Sequence, residues 1–181
     1  MLVSFATPPV GSKIVMSEDS TARRTWIGAL FAPDASTVDA LDRAITAIDM
    51  SAVHGGDRNQ SFQAGCLLLS HIRPDLVQAG RVVMEGLISR LQQSADCNAP
   101  EVRVLLRDSK FYLAVGLAKQ NELARAQAVL QDVLVVDPAN HQALALKEHL
   151  DRELMMLGVK GLAGTVAACA AAFAFYKLLR R

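Results

Sequence analysis

From residue 36 onward, apolar positions recur at helical spacing. Val38, Leu41, Ile45 and Ile48 share one helix face. Ser36 followed by Asp39 forms a capping-box pattern that places the start of this helix, and His54-Gly55-Gly56-Asp57 ends it. A second helix is expected from Gln60 to Ile72, with Phe62, Cys66, Leu67, Leu69 and Ile72 apolar. Pro74 breaks it, because proline has no backbone donor and clashes with the preceding turn. A third, from Asp75 to Gln92, carries Leu76, Ala79, Gly80, Val83, Met84, Leu87 and Leu91. Two amphipathic helices joined by so short a turn must fold back as a hairpin. Gly80 costs about 1 kcal/mol against Ala inside a helix, so its presence implies that a neighbouring helix passes close. Ser94 to Pro100 is the connecting loop.

The next hairpin is the clearest. Lys110-Phe111-Tyr112-Leu113-Ala114-Val115-Gly116-Leu117 opens a helix, Asn121-Glu122 marks a turn, and Asp137-Pro138-Ala139-Asn140 stops the return helix. Leu113, Ala114 and Leu117, then Leu123, Ala126, Leu130, Val133 and Pro138, fit the large and small slots of a tetratricopeptide repeat. Aligned on Gly80, the residues Leu67, Leu68, Met84 and Leu87 fill the same slots of a degenerate first repeat. A further helix from Gln142 to Met156 caps the stack. The fold expected is all-α, antiparallel helical hairpins forming two tetratricopeptide-like repeats of about six helices, followed by a C-terminal transmembrane helix.

That last element rests on Gly161 to Tyr176, a run with no charge and no Pro, bracketed by Lys160 and Lys177 and followed by Arg180 and Arg181. At ~1.5 Å per residue the run reaches about 24 Å, short of a ~30 Å hydrocarbon layer unless Met155 to Val159 extend it. Lys160 and Lys177 then lay their stems along the layer with their ammonium groups at its edges. The competing reading is an Ala-rich core helix, which has no use for a Lys at one end and a basic cluster at the other. Such a terminal anchor inserts after synthesis and leaves the preceding domain in the cytosol. The expected organisation is a flexible N-terminal arm over 1–35, a cytosolic helical bundle over 36–157 and a tail anchor over 158–181. Within the arm, Trp26 to Phe31 either packs on the bundle or lies in a binding groove as a movable arm. Met1 to Val15 lacks the charged and apolar regions of a signal peptide, and Met16-Ser17-Glu18-Asp19 resembles a natural start.

Composition removes several function classes. The net charge of +1, with acids and bases mixed, supplies no basic stripe for nucleic acid. The 3 cysteines, Cys66, Cys97 and Cys169, form no CxxC pair and suit reduced cytosolic thiols rather than a disulfide or zinc framework, with Cys66 in the core. No Ser/His/Asp arrangement, HExxH or Gly-rich phosphate loop stands out, so neither an enzyme nor a metal or cofactor protein is expected. His141 and His149 lack a third ligand and read as a solvated pair. Glu85, Glu122, Glu148 and Asp151 read as solvent-facing charges.

Beyond periodicity, the sequence resembles the mitochondrial fission 1 protein family, tail-anchored adaptors of mitochondrial and peroxisomal division. The resemblance is carried by Ser61-Phe62, Cys66-Leu67, Ala79-Gly80 and Met84-Glu85-Gly86-Leu87, then by Phe111 to Gly116, Asp137 to Lys147 and Gly158 to Gly164. It implies a concave helical groove that receives a dynamin-related GTPase or its adaptor, at the mitochondrial outer membrane and also at peroxisomes, with a homo-oligomer as a further state. Mapped onto the repeat slots, that groove is lined by Gly65, Leu69, Ile72 and Arg73 from the first repeat and by Phe111, Val115, Ala118 and Lys119 from the second. Each of these side chains could instead face a neighbouring helix. A tail-anchored tetratricopeptide co-chaperone or import receptor is the alternative, although Phe111 and Val115 stand where such a receptor carries Lys and Asn to grip a carboxylate.

Overall fold

Residues 20–48, 53 and 57–158 are described by the structure, a computed structural model, and among them every regular element is a helix. In chain order these are α1 (Ser20–Phe31), α2 (Ala35–Thr46), α3 (Arg58–Ser70), α4 (Pro74–Gln93), α5 (Pro100–Lys119), α6 (Leu123–Val136) and α7 (141–158). The pairs α3–α4 and α5–α6 are the two hairpins expected from the repeat slots. The terminal run at 161–176 and its flanks Lys160, Lys177, Arg180 and Arg181 lie outside the described residues. No helix among those described is long and apolar enough to cross a membrane.

Several element boundaries have causes that differ from the sequence reading. The cap of α2 is Asp34 rather than Ser36: its carboxylate accepts the Thr37 N–H at 2.8 Å and the Ser36 hydroxyl at 3.1 Å. An acid reaches the free amides of the first turn better than the hydroxyl two residues later, which is left to support it. α2 stops at Thr46, well before the Gly-Gly pair, and Asp57 caps α3 by accepting the Asn59 N–H at 2.9 Å. Pro74 and Pro100 occupy the first turns of α4 and α5, where a missing N–H costs nothing. Pro74 therefore both ends one helix and starts the next. Asn121, at φ 63°, takes the left-handed conformation that closes the turn between α5 and α6.

The centre of the bundle is α5, in which Phe111 and every residue from Leu113 to Ala118 are buried. It packs against α4 and α6 along much of its length and against α3 at its C-terminal half. The close approach to α3 is permitted by Gly116, where a Cβ would collide with the Cδ2 methyl of Leu69. Ala114 and Ala126, both fully buried, allow the same within the second hairpin. A smaller cluster of Val53, Ala64, Leu68 and Val83, with Ile45 and Ile48 against it, seats α2 on the first hairpin. α1, within the segment expected to be a flexible arm, is a helix whose Trp26, Leu30 and Phe31 pack on the main core.

Gly80 and Gly86, six residues apart in α4, separate packing from propensity. A Cβ on Gly80 would stand 2.8 Å from Leu68 Cβ and 2.9 Å from the Leu69 backbone nitrogen, atoms that cannot swing away. A Cβ on Gly86 meets nothing within 4 Å. Chemical denaturation is expected to show Gly80→Ala losing about 1–3 kcal/mol to overpacking, while Gly86→Ala gains roughly 0.5–1 kcal/mol from helix propensity. Equal shifts in the two variants would contradict a tight α3–α4 contact.

Candidate functional site

The eight residues expected to line a groove do not form one open surface. Leu69 and Val115 are wholly buried, Gly65 faces the Met84 side chain, and Phe111 and Ala118 keep only 8% exposure. The physical reason is the three-sided packing of α5: repeat slots that point away from their own hairpin are covered by other parts of the chain. Ile72, 53% exposed, and Arg73, paired with Asp75 at 2.6 Å, do reach solvent.

Lys119 is half-buried and engaged. Its Nζ donates to the backbone oxygens of Leu69 at 2.7 Å, Ser70 at 3.0 Å and His71 at 3.1 Å, the carbonyls left unpaired where α3 ends. A cation at a helix C-terminus also meets the negative end of the helix dipole. Burial lowers the ammonium group to about 8. The lysine expected at the rim of a groove is thus a clamp that fastens the first repeat to the second.

A different seam remains part-exposed between α3 and α5. Phe62 and Tyr112 meet edge to face with centroids 5.8 Å apart, and Phe111 continues the aromatic row at 5.6 Å from Tyr112. Leu105 and Cys66, both partly buried, pack against the same core. Burial pushes the Cys66 thiol up, with a smaller contribution from the Asp108 carboxylate, so the thiol stays protonated, as expected of a core cysteine. The Tyr112 hydroxyl is pushed up to about 12, again chiefly by burial. Asp108 pairs with Arg107 at 2.8 Å, and Arg107 reaches Asp137 at 3.1 Å. The seam therefore offers two part-exposed aromatic rings and aliphatic carbon beside one acid. Phe62 and Tyr112 were visible in the sequence as members of apolar helical runs and of the motifs that carry the family resemblance; their pairing across two helices was not.

Other polar groups serve the framework. Glu122 accepts from Arg81 at 2.5 Å and also pairs with Arg125, so this carboxylate, expected to face solvent alone, joins α4 to the α5–α6 turn. Glu85 lies 3.8 Å from Arg81 in the same network. His71, 1% exposed, accepts the Arg73 N–H on Nδ1 at 2.9 Å, and its Nε2 faces Asp42 of α2 at 3.2 Å. Nothing in the local sequence announced that buried histidine. His149 is not part of a solvated pair: its ring packs tilted against Phe31 of α1 with centroids 5.1 Å apart, while His141 is exposed. Among the described residues no group of His, Cys, Asp and Glu could hold a metal ion.

Two variants test these assignments. Val115→Arg puts an unpaired charge in a site with no solvent, so loss of cooperative folding is expected in circular dichroism; native stability would return Val115 to an open surface. Lys119→Met leaves the α3 carbonyls without a donor and is expected to cost about 1–3 kcal/mol at neutral pH. Because the folded value of about 8 lies below the ordinary 10.5, the unfolded chain holds the extra proton between those limits. The lysine's contribution to stability therefore grows as pH rises through that window, and Lys119→Met is expected to remove this slope.

Comparison with known proteins agrees with the two-hairpin geometry. Residues 107–156 match the Fis1 C-terminal tetratricopeptide repeat, which here comprises most of α5, all of α6 and most of α7. The chain is 29% identical over 116 residues to the mitochondrial fission 1 protein of Homo sapiens, covering 57% of this chain and 69% of that protein. The same figures hold for the Mus musculus protein. For that of Eremothecium gossypii the identity is 36% over 78 residues, covering 41% and 50% respectively. Helical hairpins with these repeat slots, together with matches that extend beyond a single repeat, make the chain similar to the mitochondrial fission 1 proteins.

Proposed function

We propose that the chain is a membrane-tethered adaptor of mitochondrial fission that acts by binding and performs no chemistry of its own. The reading is supported by the similarity to mitochondrial fission 1 proteins and, above all, by the part-exposed Phe62–Tyr112 seam between two repeats whose buried faces are already satisfied. In this reading the tail at 158–181 fixes the bundle to the mitochondrial outer membrane, and to peroxisomes, with the bundle on the cytosolic side. The seam takes a segment of a dynamin-related GTPase or of an adaptor that brings it, and Ile72 and Arg73, exposed beyond the end of α3, add a second contact. Two rings and a few aliphatic side chains give modest affinity once the ordering of the bound segment is subtracted. Clustering on a membrane raises the effective concentration and compensates.

A carboxylate-gripping co-chaperone fits less well. Its clamp needs a free cation on the groove, and the Lys119 ammonium already serves three backbone carbonyls.

Expression of the full chain in cells that lack their own mitochondrial fission 1 protein tests the proposal by organelle morphology. The wild type is expected to shorten the mitochondrial network and to raise the amount of dynamin-related GTPase on it. Ile72→Asp combined with Arg73→Glu, both on exposed positions, is expected to localise normally and to do neither. An elongated network despite correct localisation of the wild type would refute the adaptor reading.

A further inference from the structure

The contact between α1 and α7 is incompletely filled. A cavity of about 140 Å³ remains there, lined by Ile27, Gly28 and Phe31 of α1 and by His149 and Arg152 of α7. Gly28 keeps it open. A Cβ built at that position meets nothing within 4 Å, whereas at Gly80 and Gly116 it would strike Leu68 or Leu69. The missing side chain of Gly28 therefore serves no close approach of helices, and a larger residue there would enter the cavity.

The walls are of two kinds. Ile27, buried, and the Phe31 ring are carbon, and the His149 ring packs tilted on Phe31 with centroids 5.1 Å apart. Apolar cavities of about 150 Å³ stay dry and admit a benzene-sized body. The polar end is Arg152. Its Nε donates to the Glu148 carbonyl at 3.3 Å and its Nη2 lies 3.8 Å from the Glu148 carboxylate, so among the described residues its polar contacts stay within its own helix. An exposed pair at that separation is weak. The planar N–H fork is left for an anion that can come closer.

We propose that the α1–α7 cavity binds a small arylalkyl carboxylate, its ring held between Ile27, Phe31 and His149 and its carboxylate on the Arg152 guanidinium. A single ring suits the volume and finds two aromatic walls, against which tilted and offset contacts are favourable. The carboxylate answers the cation at the mouth. A bound acid touches both helices, so occupancy also fastens α1 to the bundle. The site uses none of the residues of the α3–α5 seam and does not rest on the adaptor reading.

Phenylacetate titrated into the isotope-labelled full chain, held in detergent micelles, tests the site by nuclear magnetic resonance. Saturable shifts of the Gly28 and His149 amide signals are expected. Phenylacetamide, of the same shape without the charge, is expected to bind at least fivefold more weakly. Arg152→Gln is expected to remove that difference, and Gly28→Leu, which fills the cavity, is expected to abolish binding of both compounds while the spectrum stays that of a folded chain. Absence of saturable shifts, equal binding of acid and amide by the wild type, or phenylacetate binding that survives in folded Gly28→Leu overturns the proposal. Tighter binding of a peptide ending in phenylalanine than of phenylacetate would assign the cavity to a chain end and overturn a free acid as its ligand.

Discussion

Everything in the bundle depends on how closely α3 approaches α5. Gly116 removes the Cβ that would strike Leu69, and Leu69 fills the space so that the two repeats share one core instead of two. Such contact brings the C-terminal end of α3 beneath α5, where its carbonyls lose water. Lys119 supplies three donors at that point. Packing and polar satisfaction are thus two sides of one constraint: the glycine permits the approach, and the lysine makes its desolvation tolerable. The Phe62–Tyr112 seam is a consequence, because it opens where the same two helices present their outward faces.

The hairpins were legible because their signals are local. Pro74 between two apolar stripes, the small-residue slots at Ala114 and Ala126, and the turn at Asn121 each act within a few residues. Gly80 also spoke correctly, since its missing Cβ is where Leu68 and the Leu69 backbone pass. What failed was the assignment of an open groove. Repeat slots tell which side of a hairpin a residue takes, and they carry no information on what later covers that side. Leu69 is buried against Gly116 of the other repeat, and Gly65 beneath Met84 of its own hairpin, so neither slot is open. Lys119 belongs to the same class: its partners lie about 50 residues away in sequence. α1 was equally hidden, because a short helix with little amphipathic pattern is held by tertiary packing more than by propensity.

Stacked hairpins of this kind divide labour between a rigid interior and a small exposed edge. The interior leaves little to adapt: α5 is enclosed, and the ion pairs of Arg81 with Glu122 and of Arg107 with Asp137 tie successive helices together. A scaffold of that stiffness loses little entropy when it binds, so the ordering cost falls on the incoming segment. Weak binding at one edge then becomes useful only where many copies are held on a common surface. In the proposed reading, attachment to a membrane provides that density.

Recruitment from solution onto a membrane is the most direct measure of this division of labour. Full-length chain reconstituted in liposomes and mixed with purified dynamin-related GTPase is expected to carry the GTPase into the floated fraction, and Phe62→Ser with Tyr112→Ser is expected to abolish the transfer while helicity is kept. Flotation of the GTPase no greater than with protein-free liposomes, or unchanged by opening the aromatic pair, would contradict recruitment through the α3–α5 seam.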